Sequence, residues 1–216
     1  QRLWTLDRLE GGSADYNIPL AVRLSGPLDV SALGQSIAAL VGRHEALRTV
    51  IVEGDDGVPE GRLLPAPSAA AVLPVTDLSD HGDVEGAVRE FIAAEAARPF
   101  DLGVDYALRG SLLRLGPAEV VFMLTAHHHA SDGLSVDVLV RELATAYGAY
   151  CTGDAPDWPA LPVQYSDWAA WQRSCLLTGL DEKVARARDR LSLAPAYLDL
   201  PLDHPRRGDR ARRAGY

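Results

Sequence analysis

The chain has 216 residues, of which 47% are apolar and 24% charged, and it carries a net charge of -9 at pH 7 with histidine neutral. That length and apolar content support a buried core in one large domain or two small ones. So acidic a chain is ill suited to grip a nucleic-acid backbone or an anionic membrane surface. Cys151 and Cys175 belong to no CxxC or Cys/His clip, which argues against a structural zinc site or a disulfide framework and for a reducing, cytoplasmic setting. No apolar run approaches the roughly 18–20 residues of a membrane span. The chain opens Gln1-Arg2-Leu3-Trp4 without an initiator, and Met123 is its only methionine, which points to a piece of a longer protein.

Segments of period 2 or of continuous apolar character alternate with segments of period 3.6, the signature of a mixed α/β domain. Residues 16–24 read as a strand, and Asp29 opens a helix with Leu33, Ile37, Leu40 and Val41 on one face, ending within 44–47. Strands are expected at 48–52 and 62–64, joined across Gly54-Asp55-Asp56-Gly57 as a hairpin. An amphipathic helix follows at 84–97, then strands at 106–115 and 119–126 on either side of Gly116-Pro117. The second strand contains the unbroken run Val120-Val121-Phe122-Met123-Leu124, which suggests a central strand covered on both faces. The next helix carries Val136, Leu139, Val140, Leu143 and Tyr147 on one side. Pro156, Pro159 and Pro162 break the chain before helices at 166–177 and 181–193. The spacing of Trp168 and Trp171 reads as one buried helix face rather than an aromatic binding surface. From Leu198 the text turns rich in proline and arginine and reads as a linker.

The segment that bears on chemistry is His127-His128-His129-Ala130-Ser131-Asp132-Gly133, between the apolar strand and the helix after it. In open α/β sheets, ligands gather at the carboxyl ends of strands. Asp132 is placed to cap the first turn of the helix, and histidine, with an ordinary pKa of about 6.5, suits proton transfer at neutral pH. Polar loop residues are the plainer reading of such histidines. A metal site would use His127 and His129, which project to one face if the strand continues, but His44, His81 and His204 offer no ligand spacing for its completion. No GxSxG elbow supports a serine nucleophile.

His127-His128-x-x-x-Asp132-Gly133 resembles the HHxxxDG signature of the condensation domains of nonribosomal peptide synthetases, a signature shared with other thioester-using acyltransferases. Three further stretches narrow the resemblance. Gln1-Arg2-Leu3-Trp4 is similar to the end of the family's first motif. Arg43-His44-Glu45-Ala46-Leu47-Arg48-Thr49 matches RHExLRT, and Tyr165-Ser166-Asp167-Trp168-Ala169-Ala170-Trp171-Gln172 is close to YxDFAxWQ.

The resemblance implies an α/β fold like chloramphenicol acetyltransferase, a mixed sheet flanked by helices forming one half of a V-shaped, two-lobed domain. Residues 1–197 would be the N-terminal lobe, and 198–216 a linker toward an absent C-terminal lobe. It implies peptide-bond formation between an acyl or peptidyl thioester on a donor carrier protein and the α-amine of an aminoacyl thioester on an acceptor carrier protein. Both substrates would ride on 4'-phosphopantetheine, beside a neighbouring adenylation domain. The domain itself would bind no cofactor and no metal, and would meet neither nucleic acid nor membrane. His128 would be the essential residue, which positions or deprotonates the amine. His127 and Asp132 would fix ring orientation and loop geometry, and Gly133 would allow close approach of substrate. Arg43 and Arg48 match arginines the family needs, read as packed ion-pair partners. The counterpart of Asp132 pairs with an arginine in relatives, and here that partner is expected in the absent lobe. The arginines of 206–213 read as a solvated linker or a contact with that lobe rather than a nucleic-acid patch.

The isolated chain is expected to be inactive, because half the substrate tunnel is missing. An epimerisation domain is disfavoured because Leu134-Ser135-Val136 stands where such domains carry a tryptophan. A cyclisation domain would have aspartates in place of the histidine pair. Another HHxxxDG acyltransferase and a catalytically silent module that recruits partners are the remaining alternatives.

Overall fold

The computed structural model describes residues 2–195 and Pro201, which divide after Ser166 into two compact units. The first unit contains α1 (Arg2–Glu10), β1 (Asn17–Ser25), α2 (Val30–Arg43), a 3-10 turn (Glu45–Arg48), β2 (Thr49–Glu53) and β3 (Pro59–Leu63). It continues through α3 (Ala69–Val72), β4 (Val75–Asp77), α4 (Val84–Ala97), β5 (Leu108–Gly116), β6 (Glu119–His127) and α5 (Gly133–Cys151). Helix α6 (Tyr165–Leu177) crosses the division, and α7 (Leu180–Leu191) lies in the second unit.

Strands β1, β6, β5 and β4 form one mixed sheet in that order, antiparallel except for the parallel β4/β5 pair, while β2 and β3 form a separate hairpin. The apolar run in β6 thus lies between two neighbours, as its lack of polar alternation predicts. Alternation decides what each face meets. Phe122, Leu124 and Ala126 join Ile37, Leu40 and Val41 of α2 and Leu139 and Leu143 of α5 in the main core, and Val121 joins Val88 of α4 on the other face. Ile37, Leu40 and Val41 have no exposed surface, and burying a side chain of this kind stabilises by about 1.5–3 kcal/mol relative to leaving it exposed. The sheet is not doubly wound, so the general rule for parallel sheets does not place the site; the β6–α5 connection does.

Helix starts are locally encoded. Asp29 accepts from Ala32 N–H at 2.9 Å and Asp83 from Gly86 N–H at 2.8 Å, each filling a donor that the first turn leaves open. The hairpin turns through Gly57 at φ 75°, a conformation that glycine adopts without steric penalty. Backbone bonds from Ile51 N–H to Leu102 O (2.7 Å) and from Ala107 N–H to Leu47 O (2.8 Å) tie the hairpin and the turn before it to the chain entering β5. Gly110 in β5 is required by packing: a Cβ there would stand 2.7 Å from the Val72 carbonyl oxygen.

Three elements carry no clear sequence signal. Helix α1 shows in the sequence only as the end of a motif, and α3 and β4 span four and three residues, too short to show a period. One expectation is corrected. Trp168 and Trp171 do share a helix, but they are 41% and 61% exposed, and no residue of α7 is buried. Spacing tells which side chains share a side of a helix; it does not supply the element that covers them. The expected linker lies, apart from Pro201, outside the described residues, as do the arginines of 206–213.

Candidate active site

Strand β6 ends at His127, and residues 128–130 form a turn that delivers the chain into α5 at Gly133. In β6 the odd positions face α4, so His127 points into that side and is 2% exposed. Its ring meets Phe100 edge-on at 5.5 Å between centroids, and Tyr16 lies at 6.3 Å. Arg109 of β5 covers the Phe100 ring at 3.7 Å and donates to the carbonyls of Arg98 (2.7 Å) and Pro99 (2.9 Å). Burial, with smaller contributions from the positive charges of His129, His128 and Arg109, lowers the His127 pKa from 6.5 to about 4. His127 is therefore a neutral, buried ring at physiological pH.

Burial of a neutral imidazole makes stability depend on pH. The unfolded ring titrates near 6.5 and the folded ring near 4, so the contribution is fully present above about pH 6.5 and is lost as the pH falls toward 4. A His127→Asn variant should lose less stability than the parent between about pH 7 and about pH 4.5. After allowance for solvent screening the difference is on the order of 1–2 kcal/mol. Urea unfolding at both pH values measures it, and equal losses in the two proteins would exclude His127 as the acid-sensitive group.

His128 turns the other way. Its backbone N–H donates to Tyr16 O at 2.9 Å, which anchors the turn to the residue before β1, while its side chain is exposed. It lines an open cleft of about 250 Å³ with His129, Ala130, Ser131, Asp132, Ser135 and Tyr165. His129 does not continue the strand, contrary to the geometry a metal site would use, yet its ring reaches His127, with the two Nδ1 atoms 2.9 Å apart. Among the described residues no group of three or more His, Cys, Asp or Glu side chains is arranged to hold a metal ion.

Asp132 is the N-cap of α5. Its carboxylate accepts from Ser135 N–H (2.9 Å) and Ser135 Oγ–H (2.6 Å), and its own N–H donates to Ser135 Oγ (3.1 Å), a reciprocal capping box. These bonds from Ser135 hold the carboxyl below its ordinary pKa. No arginine or lysine among the described residues forms an ion pair with it. At Gly133 an added Cβ would meet nothing within 4 Å, and the backbone is not left-handed, so neither packing nor conformation within this chain demands glycine there.

Arg43 and Arg48 lie apart from the cleft lining. Arg43 donates from Nε to Glu142 of α5 at 3.2 Å and stacks on Trp158 at 5.1 Å, while His44 Nε2 meets the other Glu142 oxygen at 2.6 Å. Arg48 donates to Leu64 O at 2.8 Å and pairs with Glu45 at 3.5 Å, closing the hairpin. Sequence reasoning missed Phe100, Arg109, Tyr16 and Thr49. Each reaches the histidine turn from a different element, and no local spacing announces that.

A lobe of mixed sheet and helices, with paired histidines at the β6–α5 turn, matches the fold of condensation domain structures and their chloramphenicol-acetyltransferase-like lobe. The condensation-domain family model matches residues 1–212, and the chain belongs to the condensation domain family. It is 40% identical over 212 residues to a dimodular nonribosomal peptide synthase of Bacillus subtilis, covering 95% of this chain and 9% of that protein. The structure of the X-domain from teicoplanin biosynthesis in complex with OxyB superposes with a TM-score of 0.80 at 32% identity, covering 99% of this chain and 46% of that one. The starter condensation domain of rhizomide synthetase RzmA shares the fold, with a TM-score of 0.77 at 20% identity over 90% of this chain and 47% of that one. The chain thus spans a small fraction of the Bacillus synthase and less than half of these two structures. Among the described residues no helix is long and apolar enough to cross a membrane.

Proposed function

We propose that this chain is the histidine-bearing N-terminal lobe of a condensation domain that joins a carrier-bound acyl or peptidyl donor to the α-amine of a carrier-bound aminoacyl acceptor. The observation that carries the reading is the placement of His128, an exposed imidazole on an anchored turn in an open cleft.

The chemistry follows from the groups present. An α-amine titrates near 7.7–8.0, so much of it is protonated at neutral pH and its lone pair must be freed for attack. The nitrogen attacks the donor thioester carbonyl, a C–N bond forms and the C–S bond breaks. The departing thiolate of the donor phosphopantetheine leaves with a proton, and the amine proton passes to His128 or is held by it. His127 is no candidate for that role, because its ring is buried against Phe100 and does not line the cleft. General base catalysis contributes about 10²–10⁴ in rate, while orientation of the two reactants can contribute roughly 7–11 kcal/mol. A thioester is already activated, so positioning by His128 and by the carriers takes the larger share. The remaining wall of the cleft, and the partner of Asp132, come from the second lobe.

The test is reconstitution. The complete domain, given an acyl thioester on a donor carrier and an aminoacyl thioester on an acceptor carrier, should yield the amide on the acceptor, read by intact-protein mass spectrometry. The chain alone should give none. No amide from the complete domain with both carriers loaded would refute the reading.

A second reading is a module that recruits a partner protein, favoured by the 32%-identical X-domain captured in complex with OxyB. Its signature would be carrier or partner binding by the complete domain without transfer. Retention here of both histidines of the signature favours catalysis.

A further inference from the structure

The cleft that holds His128 takes part of its wall from a second motif. Tyr165, the first residue of α6 and of the YxDFAxWQ stretch, lines it together with the histidine turn and the start of α5. The residue before it fixes its place. Gln164 donates from Nε2 to Arg43 O at 3.0 Å and accepts at Oε1 from Glu45 N–H at 3.1 Å, a two-point bond to the RHExLRT stretch. The same stretch holds α5, because Arg43 and His44 both meet Glu142. Tyr165 and the helix that follows the histidine turn therefore share one anchor at residues 43–45.

The rest of the lining is small or polar. Ala130, Ser131 and Ser135 offer little carbon surface, Asp132 and Ser135 are bonded to each other, and His129 lies against His127 at 5.0 Å between ring centroids. Outside the histidines, the Tyr165 ring is the one large carbon surface on the cleft, and the residue is 57% exposed. An exposed aromatic ring gains when apolar surface covers it. A substrate amine held at His128 brings its α-carbon about 1.5 Å from the nitrogen. The substituent on that carbon must then be housed within the same cleft of about 250 Å³.

We propose that Tyr165 determines specificity for the acceptor: its ring packs against the substituent on the α-carbon whose amine meets His128, and so favours an apolar acceptor side chain. This deepens the reading of His128 as the group that meets the amine, and it rests on that reading.

The experiment uses the complete domain, one loaded donor carrier, and acceptor carriers loaded with leucine or with glycine. The parent should favour the leucyl over the glycyl acceptor in kcat/KM by about 10-fold or more, the scale on which a few apolar carbons discriminate. Tyr165→Ala should remove most of that preference, and Tyr165→Phe should keep it, because the ring and not the hydroxyl makes the contact. Circular dichroism should coincide for the three proteins, since Tyr165 is no part of the core. A parental preference retained in Tyr165→Ala, whatever its overall rate, would overturn the proposal. A parent that does not favour leucine would overturn it too, as would a Tyr165→Ala effect that follows the donor's acyl group instead of the acceptor. Calorimetric binding of leucyl and glycyl pantetheine, joined through an amide in place of the thioester and with no donor present, reads the same contact without chemistry. If the parent makes no amide yet binds the leucyl compound about 10-fold more tightly, and Tyr165→Ala does not, the catalytic reading fails while the contact stands. If amide forms with no leucyl advantage, only the role of Tyr165 is lost.

Discussion

Replacing His128 by alanine in the complete domain is expected to lower amide formation by about 10²- to 10⁴-fold, the range that a positioned general base contributes. The fold should be untouched. His128 is exposed and stands on the turn, not in the core, and exposed substitutions of this kind usually change stability by no more than about 0.5 kcal/mol. Single-turnover transfer from a loaded donor carrier to a loaded acceptor carrier separates chemistry from carrier exchange. Parental yield and rate from the alanine variant would remove His128 from the mechanism. A His128→Gln variant distinguishes the two ways in which the ring acts, because glutamine can orient an amine by hydrogen bonding but accepts no proton at neutral pH. Near-parental rate in His128→Gln with loss in His128→Ala assigns the effect to orientation; equal loss assigns it to proton transfer.

The second large effect concerns stability. Glu142 accepts from Arg43 and faces His44 with its two oxygens, and the Arg43 and Glu142 side chains are 12% and 16% exposed. Glu142→Ala removes both acceptors and leaves the Arg43 guanidinium nearly enclosed against Trp158 without its carboxylate. Removing one partner of a buried ion pair costs about 3–5 kcal/mol, whereas replacing both by apolar groups is often close to neutral. Urea unfolding of the complete domain should therefore show a loss of about that size in Glu142→Ala and recovery of most of it in Arg43→Met with Glu142→Leu. A loss below about 1 kcal/mol in the single variant would mean that the pair behaves as an exposed one. The cluster links the end of α2 to α5, which is why the RHExLRT stretch and the helix after the signature share a structural dependence although they lie far apart along the chain.

The course of the strands and long helices was legible because each carries a period of its own. The expected helix at 84–97 coincides with α4, and the apolar run of 120–124 lies within the central strand β6. Asp29 and Asp132 each announced a helix start from one side chain and its neighbours within three residues. The histidine turn was likewise visible as a motif. Other features were not, for physical reasons. That His127 is buried and His128 exposed depends on the parity with which β6 meets α4, and two adjacent identical residues cannot signal it. The ring contact between His127 and His129 requires the strand to end after His127, which a continued alternation would not allow. Phe100 and Arg109 come to His127 from a loop and from β5, and Thr49 comes to His129 from β2; these are contacts across the sheet and the hairpin that have no local counterpart. The exposure of Trp168 and Trp171 shows the same division, since helical spacing is a local property and cover is not.

The sequence by itself determined the mixed α/β character, the order of the main elements, the helix caps and the family motif, because each of these is set by neighbours along the chain. Only the tertiary structure decided which histidine is buried neutral and which faces the cleft, and which distant residues hold them. Burial and long-range hydrogen bonding belong to the packed sheet and its helices, and they exist only after the chain has folded.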